Sequence, residues 1–250
     1  MIKIFTSLSL FLLGMLAQAQ TTQTRNVTKF TQMEVGSNIE ITCTESATPS
    51  LTIDAPEGKL SNVTTEIKNG TLKIGLTNQD NGIYKVQVNA NHLNTIKASG
   101  AKVSARQWSG AELNLILENG ATFTGNIEPS QKMMLHVAQN ATFNGRVKTQ
   151  ILNAEMHGNA KICLTGNAQT VYIEAYDNAL CLAGNFSAEY IKVDANGQAN
   201  VKLRARNTLD ITVAEKARVI YTGNPNVIQM NENAIAVGPM QDEVSAVAAN

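Results

Sequence analysis

Counting from Ala141, the chain nearly repeats itself every 19 residues. Gln139-Asn140-Ala141, Gly158-Asn159-Ala160, Asp177-Asn178-Ala179, Asn196-Gly197-Gln198-Ala199 and Glu215-Lys216-Ala217 mark successive units, and the steps between their alanines are 19, 19, 20 and 18. A unit this short cannot enclose a core of its own, so each must bury its apolar side against the next. That requirement points to a coil stacked on itself.

Units can be laid end to end from His92, Ala111, Lys132, Ile151, Thr170, Glu189 and Thr208, the last ending at Asn226. The unit beginning at Ala111 is two residues longer than the others, around Pro129, where an insertion belongs in a loop. Inside each unit apolar residues alternate at period two in two short runs, such as Leu152, Ala154, Met156 and then Ala160, Ile162, Leu164. Period-two alternation is the signature of a strand with one face inward. Asn or Gly between the runs reaches left-handed backbone cheaply and turns the chain, and Ala follows because the inside of a tight corner has room for a methyl group. An Ala-rich helical solenoid is excluded by the period and by the recurring breakers, and the Leu-x-x-Leu-x-Leu frame of a leucine-rich repeat is missing. The expected fold is an all-β, single-domain parallel β-helix with rungs of about 19 residues, rising about 4.8 Å per rung. Its expected hand is right, as for most parallel crossovers. All five prolines fall in expected turns or near the ends, where no ladder N–H is needed.

Before His92 the spacing loosens. Short strands are expected at 30–35, 39–43, 51–53, 63–67, 72–76 and 84–88, with longer turns between them that make the first coils elaborated or partly antiparallel and able to cap the stack. Residues 1–19 read as a signal peptide: Lys3, an apolar run from Leu8 to Leu16, then Ala17-Gln18-Ala19. That run is too short to cross a bilayer and no other run of about 18 apolar residues follows, so no transmembrane segment is expected. Residues 20–26 are expected as a short leader, 27–230 as the β-helix domain with regular rungs over 92–226, and 231–250 as a loose cap or disordered tail. The product is expected to be exported, to the periplasm, cell surface or medium.

The segments Phe30-Thr31-Gln32-Met33-Glu34-Val35, Asn69-Gly70-Thr71-Leu72-Lys73-Ile74, Ala98-Ser99-Gly100-Ala101 and Tyr221-Thr222-Gly223-Asn224-Pro225 resemble the DUF2807 family, described as a "putative auto-transporter adhesin" with a head GIN domain and common in Bacteroidetes. The resemblance spans residues 27 to 230. It implies an exported β-helical domain acting as an adhesin by analogy, and it supplies no catalytic residues to carry over.

Candidate chemistry is sparse. With 20 basic and 20 acidic residues spread without blocks, the chain lacks the basic stripe of a nucleic-acid partner. His92, His136 and His157 are the only histidines. His136 and His157 fall at the fifth and seventh places of successive rungs, so they are expected not to stack as metal ligands and to be ordinary surface residues. Cys43 and Cys181 lie on inward phases and Cys163 on an outward one, which disfavours a Cys163 to Cys181 bridge. Long loops with clustered Asp, Arg and Lys, as a polysaccharide lyase would need, are missing; Arg204 and Arg206 have no acidic cluster beside them. No catalytic residue, metal or cofactor is expected.

One outward column stands out. Glu155, Glu174 and Asp194 line up beside Asn153, Tyr172 and Lys192, as carboxylates able to hold calcium or flank a glycan; the plainer reading is a solvated face that Lys192 partly neutralises. Glu155, Glu174, Asp194 and Tyr172 are therefore the candidate binding residues. The expected function is a non-enzymatic, adhesin-like binding module at the cell envelope, with a polysaccharide, a surface protein or another copy as partner. The alternatives are a self-assembling structural β-helix with weak homo-oligomer contacts, or a lyase or hydrolase.

Overall fold

The alternating runs become strands of one continuous sheet wound into a parallel β-solenoid of about seven turns in one domain. The structure is a computed structural model that describes residues 20–231 and the backbone of 236–237; the expected signal peptide and most of the expected tail lie outside the described residues. In chain order the strands are β1 (Gln20–Asn26), β2 (Gln32–Val35), β3 (Ile39–Glu45), β4 (Ser50–Pro56), β5 (Val63–Lys68), β6 (Thr71–Leu76), β7 (Tyr84–Ala90) and β8 (Thr95–Ser99). Long strands follow, bent around the corners of the rungs: β9 (Lys102–Glu118), β10 (Thr122–Val137), β11 (Thr142–Met156), β12 (Lys161–Ala175), β13 (Leu180–Ala195) and β14 (Asn200–Val213). β15 (Arg218–Thr222), β16 (Val227–Met230) and β17 (Ala236–Val237) complete the stack.

Register carries the repeat into space. Thr142 pairs with Lys161, Lys161 with Leu180, Leu180 with Asn200 and Asn200 with Arg218, all in parallel. Each residue therefore sits on its counterpart in the next unit. Inward positions become vertical stacks that exclude water, which is where the stabilisation of a solenoid lies. Ala121, Ala141, Ala160, Ala179, Ala199 and Ala217 form one such stack at the inside of the corner, all buried. Beside it Phe123 lies on Phe143, centroids 5.5 Å apart and planes 4° apart.

The corners are built differently from the expectation in one respect. Left-handed backbone falls on Asn119, Asn140, Gly158 and Gly197 as expected, but also on Asp177 and Glu215, and not on Asn159 or Asn178. Those asparagines serve a ladder instead: Asn178 donates from Nδ2 to Asn159 Oδ1 at 3.1 Å, and Asn159 to Asn140 Oδ1 at 2.9 Å. Stacked identical amides satisfy donor and acceptor at once, a reason for Asn to recur that does not involve its own φ.

The first coils are partly antiparallel. β5 and β6 form a hairpin across Asn69-Gly70, both with positive φ as a two-residue hairpin turn requires, while β4 pairs antiparallel with β7. Residues 20–26, expected as a leader, form β1, antiparallel to β4 from Gln20↔Pro56 to Asn26↔Ser50. That segment covers an edge of β4 that would otherwise stay open. At the other end Asn231 imitates a further rung: its Nδ2 donates to Val213 O at 2.8 Å and its Oδ1 accepts from Val213 N at 3.0 Å.

Candidate functional site

Strands β10 to β13 present three outward columns on the face formed by the first half of each rung. His136, Glu155, Glu174 and Asp194 are in register in one; Met134, Asn153, Tyr172 and Lys192 in the next; Lys132, Ile151, Thr170 and Tyr190 in the third. The four candidate residues Glu155, Glu174, Asp194 and Tyr172 thus share one face. Parallel pairing does this without any loop, because outward side chains two apart along a strand point the same way.

Large apolar side chains concentrate here too. Met134, Ile151 and Tyr172 are 45%, 37% and 41% exposed, and the Tyr172 and Tyr190 rings lie 6.2 Å apart, tilted by 58°. Between the columns runs a shallow groove of about 400 Å³, lined by Met134, His136, Asn153, Glu155, Tyr172 and Glu174 among others. Asn153 Oδ1 is buried in it without a hydrogen-bond partner, the only such side-chain atom among the described residues. A buried acceptor left unpaired costs about 1–3 kcal/mol.

His136 and His157 are surface residues, as expected, yet they converge on one carboxylate. His157, at the start of the corner, reaches back so that its Nε2 lies 2.7 Å from Glu155 Oε1, while His136 Nδ1 lies 3.3 Å from Oε2. The two imidazoles are 5.8 Å apart around one carboxylate, although their places in the repeat differ by two. Tyr176, one rung on, stacks on His157 with centroids 4.9 Å apart and planes 10° apart, and its hydroxyl donates to Glu174 Oε2 at 3.3 Å. The hydrogen bond from His157 holds the Glu155 carboxyl below the usual range; partial burial opposes this and His136 reinforces it. Burial pushes the Tyr176 hydroxyl up, and the negative charges of Glu174, Asp194 and Glu155 push in the same direction.

His136, His157 and Tyr176 were not among the sequence candidates. A signal existed: His157 and Tyr176 are separated by one repeat and so must stack. Lys192 also departs from expectation, since among the described residues it lies within ion-pair distance of no carboxylate. Among those residues no group of three or more His, Cys, Asp or Glu is arranged to hold a metal ion, which leaves calcium without geometric support at the acidic column. Cys163 and Cys181 are both free, with Cys163 in register with Leu182 and Cys181 with Ile162, so the thiols belong to opposite faces.

A larger concavity, about 620 Å³, lies on another face between the Pro129 loop and Arg206. Arg206 pairs there with Glu189 at 3.5 Å, the acidic partner that the sequence did not reveal. Its charges compensate and it has no aromatic lining, so its size does not outweigh the chemistry of the Tyr172 face.

The DUF2807 family, described as "Putative auto-transporter adhesin, head GIN domain", matches residues 29–225. The chain belongs to that family. Solved structures share the DUF2807 fold: a "putative adhesin" from Parabacteroides merdae is 21% identical, with 88% of this chain and 96% of that one covered and a TM-score of 0.80. A "putative lipid binding protein" from Parabacteroides distasonis is 14% identical, with 88% and 97% covered and a TM-score of 0.75. A further "putative adhesin" from Parabacteroides distasonis is 15% identical, with 88% and 98% covered and a TM-score of 0.77. At these identities the likeness is one of fold. No curated protein matches the chain. Among the described residues of this DUF2807 domain no helix is long and apolar enough to cross a membrane.

Proposed function

We propose that the chain is an exported, adhesin-like and non-enzymatic binding module of the cell envelope, and that the face of β10 to β13 holds a polysaccharide. The family description and the names of the structural neighbours support the adhesin-like part. The observation that carries the glycan reading is the groove beside Tyr172. Exposed apolar side chains lie within one column of three carboxylates and an unpaired amide oxygen. A pyranose has the matching shape, with apolar ring faces for Tyr172 and Met134 and a rim of hydroxyls for the acceptors.

The test is a glycan array of envelope polysaccharides probed with purified protein and with Tyr172→Ala. The variant is expected to keep its melting temperature and to lose about tenfold or more in affinity, the weight of one exposed aromatic contact. Hydrolysis or elimination of any envelope glycan, abolished by one point mutation, would overturn the reading.

A second reading, end-to-end self-assembly, is favoured by β16, where Val227, Ile228 and Met230 are 44%, 40% and 51% exposed on the last rung before Asn231. Static light scattering separates the two: ends that join give assemblies of mixed length, whereas a binding module gives a monomer or a small closed oligomer.

A further inference from the structure

The acidic side chains of the Tyr172 face gather in one column. Glu155, Glu174 and Asp194 occupy successive rungs of one column, about 4.8 Å apart. Glu155 is already hydrogen-bonded by His157 and His136, and Glu174 receives only the Tyr176 hydroxyl. Among the described residues neither Glu174 nor Asp194 meets a cation within ion-pair distance. Lys132 and Lys192 belong to the neighbouring columns, in register with Glu112 and Asp210, and neither lines the groove. The groove is lined by Glu155 and Glu174 and by no Lys or Arg, so its fixed charge is negative, and the unpaired buried atom of its wall, Asn153 Oδ1, is an acceptor. The Tyr172 ring lies in the column beside the acidic one and the Tyr190 ring one column further, and ring faces attract cations.

Backbone accounting narrows the class of ligand. On this face the main-chain groups of β11 and β12 are spent on rung-to-rung pairing from Ile151↔Thr170 to Met156↔Ala175, and β12 to β13 continues it from Thr170↔Tyr190 to Ala175↔Ala195. No strand edge is left here for a peptide to extend. The groove is shallow and open, with flat apolar surfaces suited to sugar rings.

We propose that the ligand of this face is a polysaccharide carrying free amino groups, with ammonium groups facing Glu174 and Asp194 and sugar rings lying on Tyr172 and Met134. This inference rests on the glycan-binding reading above and adds the charge of the glycan. Such a ligand is recognised through charge-assisted hydrogen bonds, which weaken in salt where the site is exposed.

Calorimetry with a β-1,4-linked glucosamine hexamer, the fully N-acetylated hexamer and hexalysine tests it. The glucosamine hexamer is expected to bind about tenfold more tightly than the N-acetylated one, and to lose most of that margin at high salt, as for any exposed charge contact. The double substitution Glu174→Gln and Asp194→Asn is expected to remove the preference while leaving the melting temperature in place. Equal binding of both hexamers, abolished by Tyr172→Ala, overturns the cationic ligand and leaves the glycan reading standing. Binding of hexalysine with neither sugar overturns both, as does binding of none of the three together with an empty glycan array.

Discussion

His157 Nε2 lies 2.7 Å from Glu155 Oε1, across the point where β11 ends and the corner begins. The contact ties the tightest turn of the rung to the middle of the exposed face. It also places an aromatic column, His157 on Tyr176, beside the acidic one.

This contact predicts a titration. In the folded chain Glu155 is held below its ordinary pKa, first by the His157 hydrogen bond and then, against the opposing effect of burial, by His136. Its contribution to stability is complete above the unfolded value of about 4.3 and disappears as pH falls through the lower folded value. Because the side chain is 50% exposed, the effect on stability is small and is best read at the residue. Carboxyl NMR is expected to find Glu155 titrating below an ordinary glutamate, and returning toward the ordinary range in His157→Ala. An unchanged midpoint in the variant would remove His157 as the cause.

A second prediction separates two glycines. Gly166 has φ 112° and a Cβ placed there would strike the Val147 carbonyl of the rung before it, whereas Gly120, φ 75°, has open space around the same position. Gly166→Ala is expected to cost about 1–3 kcal/mol from backbone strain before the clash is counted. Gly120→Asn should cost a few tenths, since Asn tolerates left-handed backbone. Urea midpoints of the two variants decide it; similar losses would mean that the rungs do not approach as closely as Gly166 requires.

The cysteines give a third. Burial pushes the Cys43 and Cys181 thiols up to about 12, while Cys163 is partly exposed. A thiol reagent applied to the native protein is expected to label Cys163 alone, and all three cysteines after unfolding. Since the unfolded chain ionises its thiols from about pH 8.5 and the buried pair resists until about 12, stability should decline across that alkaline interval. Fast labelling of Cys181 in the native state would contradict the inward phase of β13.

Much of this was legible beforehand. The inward residues Leu152, Ala154 and Met156 could be assigned by alternation and are buried, and the column Glu155, Glu174, Asp194 followed from the repeat because alternation keeps the outward phase in step even where the offset changes from 19 to 20. What escaped were contacts that cross columns. The corner's left-handed residue turned out to be Asp177 or Glu215 as readily as Gly, because stacking enforces the turn and can override a local preference. The residues taken for a leader became β1, since pairing with β4 offered backbone hydrogen bonds that composition does not reveal.

Sequence by itself determined the period, the phase of the two runs in each unit and therefore which of their side chains share a face, because covalent spacing and period-two alternation leave a stacked coil little freedom. Tertiary structure alone decided how the corner folds back on the face, bringing His157 and His136 onto Glu155, burying Asn153 Oδ1 without a partner and leaving Lys192 away from the carboxylates. Those outcomes depend on side-chain direction at a bend and on the packing of neighbouring rungs, which no linear spacing encodes.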